Sequence, residues 1–236
     1  MKRTVIITGG TKGLGRELAM AFGRAGYFVV ALYASDELAA NEFSAALTVA
    51  NISGLALRHD VRSGETAIWS RPEIQKADGL TLVNNACAVF SPTPMHQLNW
   101  QDFENNFQVA VKGAWGCSLP LIRLMIKNGQ GAIVNVLTSA IEGAPPKGFA
   151  AYVTAKHALQ GFTLALAAEY AARGVKIFSV SPGYMDTPLT QQWDSRLRAA
   201  IRANSGRISV PTAAATRILE LVADGAVPGR GENYPV

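Results

Sequence analysis

Cysteine and histidine are both scarce here: Cys87 and Cys117, with His59, His96 and His157, are all that 236 residues contain. The two cysteines lie far apart and form no CxxC pair, and the histidines show no ligand spacing with them or with one another. That excludes a disulfide framework and leaves no metal site to expect. Long apolar runs are missing as well; no window approaches 18 consecutive uncharged apolar residues, so no membrane span and no membrane partner are expected. The N-terminal "MKRTVIITGGTKG" starts with charge, but glycines break its apolar run early, so it reads as a first strand rather than a secretion signal. Without an export signal, two reduced thiols suit a cytoplasmic protein. The formal charge is +5 without any dense basic tract; Arg196, Arg198, Arg202 and Arg207 are spread out. A nucleic-acid partner is therefore not expected, and the excess is a solvated surface that favours anionic substrates. No linker, repeat or low-complexity block divides residues 1–236, which read as a single domain.

Short β-branched runs alternate with longer alanine-rich segments. "TVIITGG", "YFVVALY", "GLALRHDV", "LTLVNNA", "GAIVNVLTS" and "VKIFSVSPG" read as six strands, and "GRGENYPV" as a short last one. Their continuous apolar character suits a sheet covered on both faces. Strand–helix alternation along the whole chain predicts an α/β fold, a doubly wound parallel sheet of Rossmann type with right-handed crossovers. The stretch 188–209, rich in Gln, Arg and Asn, follows the sixth strand at the end where such sheets bind ligands. It reads as a substrate lid built on a helix over "LTQQWDSRLRAAIRA", with Trp193 either a substrate wall or a packing anchor.

Two local patterns carry chemistry. In "TGGTKGLG", Gly9, Gly13 and Gly15 lie between the first strand and the first helix, where glycines let backbone approach a pyrophosphate at a helix N-terminus. In "AAYVTAKHALQGF", Tyr152 and Lys156 are four residues apart and share one helix face.

With these in order, the chain resembles the short-chain dehydrogenase/reductase family. The TGxxxGxG loop, "HDV" at 59–61, "NNAC" at 84–87 (Cys87 where glycine is usual), "YVTAK" at 152–156 and "SPGYMDT" at 181–187 follow that family's motifs from residue 4 to about 190. The resemblance implies a nicotinamide cofactor held by Gly9, Thr11, Lys12, Gly13, Leu14, Gly15, Tyr33, Asp60, Val61, Asn85, Ala86, Pro182, Gly183, Met185 and Thr187, together with Tyr152 and Lys156. Tyr33 stands where NAD-binding relatives carry a carboxylate, and Lys12 can pair with a 2′-phosphate, so NADP (NADPH) is expected. Tyr152 becomes the acid that protonates the alkoxide left by hydride transfer, with Lys156 lowering its pKa and holding the nicotinamide ribose.

A hydroxyl at the end of the fifth strand completes the catalytic set. Counting back from Tyr152 points to Ser139, and counting from "IVN" points to Thr138; Ser139 is preferred because it lacks the extra methyl. Ala110 replaces the family's asparagine in "VAVKG", and Asn106, one turn earlier, is the candidate to hold the relay water instead. The expected activity is NADPH-dependent reduction of a ketone, with a 3-oxoacyl thioester on acyl carrier protein first. Arg173 and Lys127 are the possible docking residues for the carrier. A free sugar alcohol, steroid or xenobiotic carbonyl is the alternative, and a non-catalytic NADP-binding regulator the third reading. A homo-oligomer, dimer or tetramer, is also implied; Cys117, with Trp115 and Gly116, reads as interface or buried packing.

Overall fold

The computed structural model describes residues 3–225, 227 and 229–236. Strands and helices alternate as the apolar runs predict. The first half holds β1 (Thr4–Thr8), α1 (Gly13–Arg24), β2 (Phe28–Tyr33), α2 (Glu37–Val49), β3 (Gly54–Arg58), a short α3 (Pro72–Gln75) and β4 (Leu80–Asn84). The second holds α4 (Trp100–Phe107), α5 (Gly113–Lys127), β5 (Gly131–Val136), α6 (Ala150–Tyr170), β6 (Val175–Ser181), α7 (Pro188–Gln191), α8 (Ser195–Asn204), α9 (Pro211–Ala223) and β7 (Arg230–Pro235). The seven strands form one sheet in the order β3-β2-β1-β4-β5-β6-β7, and every pairing is parallel.

The sheet is buried on both faces. Val5 and Ile7 of β1 pack with Leu18 and Phe22 of α1, Phe43 of α2 and Ile218 of α9. Ile6, between them, points the other way into a cluster with Leu121, Ile122 and Met125 of α5 and Leu166 of α6. Two-residue alternation thus sends one strand's side chains into two cores, which is why the strands read as unbroken apolar runs. Each fully buried Ile, Leu or Phe contributes roughly 1.5–3 kcal/mol relative to exposure. Cys117 belongs to the second core, and burial pushes its thiol up to about 12.

From Trp100 to Lys127 the chain is helical without a break and is long and apolar enough to cross a membrane. Its apolar face is spent on the sheet, however: Cys117, Leu121, Ile122 and Met125 are buried there. Between α4 and α5 lies a π-helical turn over Gln108–Lys112, which sequence periodicity did not anticipate.

The expected lid helix is two helices. α7 begins with Pro188 at its first turn, and α8 begins after Asp194, whose carboxylate accepts from the Arg196 and Leu197 amides. That N-cap, inside "LTQQWDSRLRAAIRA", restarts the helix.

α6 and its terminal turn stop at Gly174, which is left-handed with φ 83°. A Cβ there would sit 2.5 Å from the Gly129 carbonyl oxygen, so backbone has claimed the space. Gly174→Ala is expected to cost about 2 kcal/mol through both effects. Thermal unfolding should show Tm lower by roughly 4–8 °C.

Candidate active site

β1 lies between β2 and β4, so the crossovers from β1 and β4 leave in opposite directions and open a crevice at their carboxyl ends. Side chains pin the crevice floor. Thr8 Oγ1 accepts from the Asn85 and Ala86 amides, both at 2.9 Å, and Asn85 Nδ2 donates to the Thr8 and Gly9 carbonyls at 3.0 and 3.2 Å. Gly9 has φ 62°, and a Cβ on Gly15 would collide with the Gly9 carbonyl oxygen. These two positions therefore let the loop fold under the N-terminus of α1, leaving free amides toward the crevice.

The crevice is a cavity of about 580 Å³. Gly9, Thr11, Lys12, Gly13, Leu14, Tyr33, Asp60, Val61, Asn85, Ala86, Tyr152, Lys156, Pro182, Gly183, Met185 and Thr187 all line it. Gly15 lies behind the loop. Ser35, His59, Arg62, Asn105 and Val109 also line it and are not among the residues the sequence points to, while Leu189 and Gln192 come from the stretch read as a lid. The run after β2 could have suggested Ser35, since that loop closes over any ligand at the strand ends.

At one end, Lys12 Nζ meets the Asp36 carboxylate at 2.6 Å, with both side chains about half exposed. Asp36 also caps α2 by accepting from the Ala39 amide, and these bonds hold its carboxyl below the usual range. Tyr33 donates to Glu37, and Asp60 is held by Arg62 at 2.6 Å. This end thus offers a lysine and hydroxyls, with its carboxylates already paired.

At the other end stands the pair on the first turns of α6. Lys156 is buried and donates to the Val136 carbonyl at 2.6 Å; its Nζ is 5.7 Å from the centre of the Tyr152 ring. Burial pushes the Lys156 ammonium down and the Tyr152 phenol up. The expected lowering of Tyr152 by Lys156 is not what governs this arrangement: the ammonium is turned to a backbone carbonyl, and desolvation dominates. Tyr152 is accordingly a protonated donor at neutral pH.

Of the two candidate hydroxyls, Thr138 lines the cavity together with Tyr152, and Ser139 is not on the wall. The reason is where the strand conformation ends. Thr138 is still extended, and its Oγ1 accepts from the Ala140 amide to cap a 3-10 turn over Ser139–Ile141. Ser139, inside that turn, donates its amide to the Pro182 carbonyl at 2.8 Å.

Asn106 also departs from expectation. It is buried, and its amide donates to the Asp102 carbonyl of its own helix at 2.9 Å. Asn105 and Val109 line the cavity, while Asn106 and buried Ala110 do not. The helix from α4 onward still deviates at the family's asparagine position, through the π turn containing Ala110. Gly113 is what lets the next turn close: a Cβ there would lie 2.7 Å from the Val61 side chain.

Other expectations fall elsewhere. Trp193 is buried and absent from the cavity wall, which makes it a packing anchor. Lys127 and Arg173 are exposed at the ends of helices leading into β5 and β6, hence at the opposite end of the strands from the cavity. Arg173 is roughly 30 Å along the helix from Tyr152, at 1.5 Å per residue. Among the described residues no cluster of His, Cys, Asp and Glu could hold a metal.

The family profile of the short chain dehydrogenases matches residues 3–198. The 3beta-hydroxysteroid dehydrogenase 1 of Eggerthella lenta is 32% identical over 203 residues, covering 84% of this chain and 77% of that protein. The 3-oxoacyl-(acyl-carrier-protein) reductase FabG of Pseudomonas aeruginosa is 29% identical, covering 99% of this chain and 95% of that one. A protein of Beutenbergia cavernae, provisionally described as an NAD(P) dependent gluconate 5-dehydrogenase, was solved with bound NADP at low occupancy. It superposes with a TM-score of 0.83 at 28% identity, covering 99% of this chain and 94% of that one.

Because burial raises its pKa, Tyr152 should not ionise with ordinary tyrosines near pH 10. Alkaline titration of phenolate absorbance should give superimposable curves for the wild type and Tyr152→Phe through about pH 10. A deficit of half a tyrosine in the variant at that pH would show that Tyr152 is not shielded.

Proposed function

The chain belongs to the short-chain dehydrogenase family and is an oxidoreductase, and on that premise we propose that it interconverts a free, uncharged carbonyl compound and its secondary alcohol with NADP(H). One observation carries the substrate class. The wall includes Cys87, Ala88, Val89, Thr138, Met185, Leu189 and Gln192 with Tyr152, and among the described residues the charged side chain placed with them is Lys156, bound to Val136. A sugar acid or other anion would find no free cation at this end, and its desolvation would go uncompensated.

The remaining walls suit the cofactor. The glycine loop and the α1 N-terminus would hold its pyrophosphate, Asp60 and Val61 its adenine side, and Lys156 its ribose. The absence of a carboxylate at Tyr33, with Lys12 beside it, supports NADP: Lys12 can exchange the Asp36 carboxylate for a 2′-phosphate. When bound, the nicotinamide supplies hydride for reduction or accepts it for oxidation. Thr138 Oγ1 takes its hydrogen bond from the Ala140 amide, which leaves its own proton to orient the substrate oxygen. Tyr152, protonated at rest because burial raises its pKa, gives its proton to that oxygen during reduction and is left as phenolate; oxidation requires that phenolate to take the alcohol's proton. Burial also pushes the Cys87 thiol up, so Cys87 stays a neutral, packed side chain.

A second reading is a 3-oxoacyl thioester carried on a protein, supported by the likeness to the Pseudomonas aeruginosa reductase across nearly the whole chain. The positions of Lys127 and Arg173, at the amino ends of β5 and β6 away from their own cavity, weigh against it.

NADPH oxidation assayed with small uncharged ketones, a keto sugar acid and an acetoacetyl thioester separates these readings. The uncharged ketones should give the highest kcat/KM; a preference for the thioester would select the second reading, and NADPH binding without turnover of any substrate a regulatory role. Tyr152→Phe should lower kcat by at least about 100-fold. Thr138→Ala should lower it by roughly 10²-fold, as for loss of one donor to the reacting oxygen, while Ser139→Ala leaves it unchanged. Lys12→Ala should weaken NADPH binding by roughly tenfold and leave NADH binding unaltered.

A further inference from the structure

The substrate end of the cavity stops at Tyr152, and what lies behind the phenol is a packed set of rings. The Phe90 ring lies nearly parallel to the Tyr152 ring, with centroids 4.6 Å apart and 13° between planes. Phe149 stands edge-on to both at 5.3 and 5.8 Å, and Trp193 edge-on to Phe90 and Phe149 at 5.4 and 5.6 Å. Phe90, Phe149 and Trp193 are all absent from the cavity wall, although Tyr152 is on it.

Two backbone ties keep this set in place. Trp193 Nε1 donates to the Phe90 carbonyl at 2.8 Å, joining the segment between α7 and α8 to the loop that follows β4. On the other side the Thr93 amide donates to the Gly148 carbonyl at 3.1 Å. Gly148 has φ 86°, and a Cβ there would come within 2.8 Å of the Thr93 nitrogen, so the two loops are in close apposition just before Phe149.

We propose that Phe90, latched by Trp193, is the specificity-determining residue of this enzyme: a plug that ends the substrate cavity at Tyr152 and restricts it to small uncharged ketones and alcohols. The inference rests on the carbonyl reading above and adds a size limit to it. A ring stacked on the phenol denies its face to substrate, and the buried rings behind it leave no slot for a fused-ring or long-chain group. The wall left to the substrate comes from Cys87, Val89, Met185 and Gln192. The indole N–H is the latch because it is the hydrogen bond that ties the lid segment to the carbonyl of the plug residue itself.

The test uses the full chain as wild type, Phe90→Ala, Phe90→Leu and Trp193→Phe, the last keeping a ring but no donor. kcat/KM with NADPH is measured for a four-carbon ketone and a steroid-sized ketone. Calorimetric binding of the same two ketones to the protein–NADP⁺ complex is measured alongside. Phe90→Ala should shift the ratio of large to small ketone by roughly tenfold or more in favour of the large one, in turnover and in binding. Phe90→Leu should fall between it and the wild type, and covers the case in which the alanine variant does not fold. Trp193→Phe should move the ratio in the same direction by a smaller factor. A wild type that takes both ketones equally well, or ratios unchanged in folded Phe90 variants, overturns the plug. If no ketone is turned over but the binding ratio shifts, the carbonyl reading fails and the plug stands.

Discussion

The carboxyl ends of β1 and β4 are stitched together by Thr8 and Asn85, and the rest of the site is built on that seam. Thr8 satisfies two amides of the β4 extension at once, and Asn85 returns two hydrogen bonds to the glycine loop. Strand order reverses at this seam, so nothing from the flanking crossovers fills it. The loop glycines then bring backbone to the seam instead of side chain. The pairing of β1 with β4 brings the strand ends side by side, and these side-chain bonds extend it to the glycine loop and to the segment from which Cys87 and Phe90 extend.

A second polar network supports the same region from below. Asn84 Nδ2 donates to Asn135 Oδ1 at 2.8 Å, Asn135 Nδ2 to Thr163 at 2.8 Å, and Thr163 to the Leu159 carbonyl, all buried. It ties β4 and β5 to α6 and pairs most of its buried polar atoms, while Asn84 Oδ1 has no hydrogen-bond partner among the described residues. Lys156 itself is the exposed risk in this scheme, a buried ammonium whose one strong partner is the Val136 carbonyl. Such a group holds its place through the rigidity of its surroundings, and the β5–α6 network supplies that rigidity.

Much of the frame was legible in sequence because its causes are local. Val–Ile runs between glycines identify strands covered on both faces, and the spacing of Gly9, Gly13 and Gly15 reports a loop that must approach closely. Tyr152 and Lys156 share a face by helix geometry alone. The lid was less legible, since a single side chain, Asp194, divides one amphipathic stretch into α7 and α8. The fate of Trp193 depends on a partner 103 residues away, which no local pattern can report.

What the sequence determined by itself is therefore the layered α/β sheet, the glycine loop and the tyrosine–lysine pair, since each follows from residue type and short spacing. Tertiary structure placed Thr138 rather than Ser139 on the cavity wall, because the placement turns on the residue at which β5 yields to a 3-10 turn beside Pro182. It kept Asn106 off that wall as well, because a π turn and the packing around α4 set which helix face meets the cavity. And it brought Phe90 of the β4 loop against Tyr152 and joined its carbonyl to the Trp193 indole, contacts that no short spacing reports.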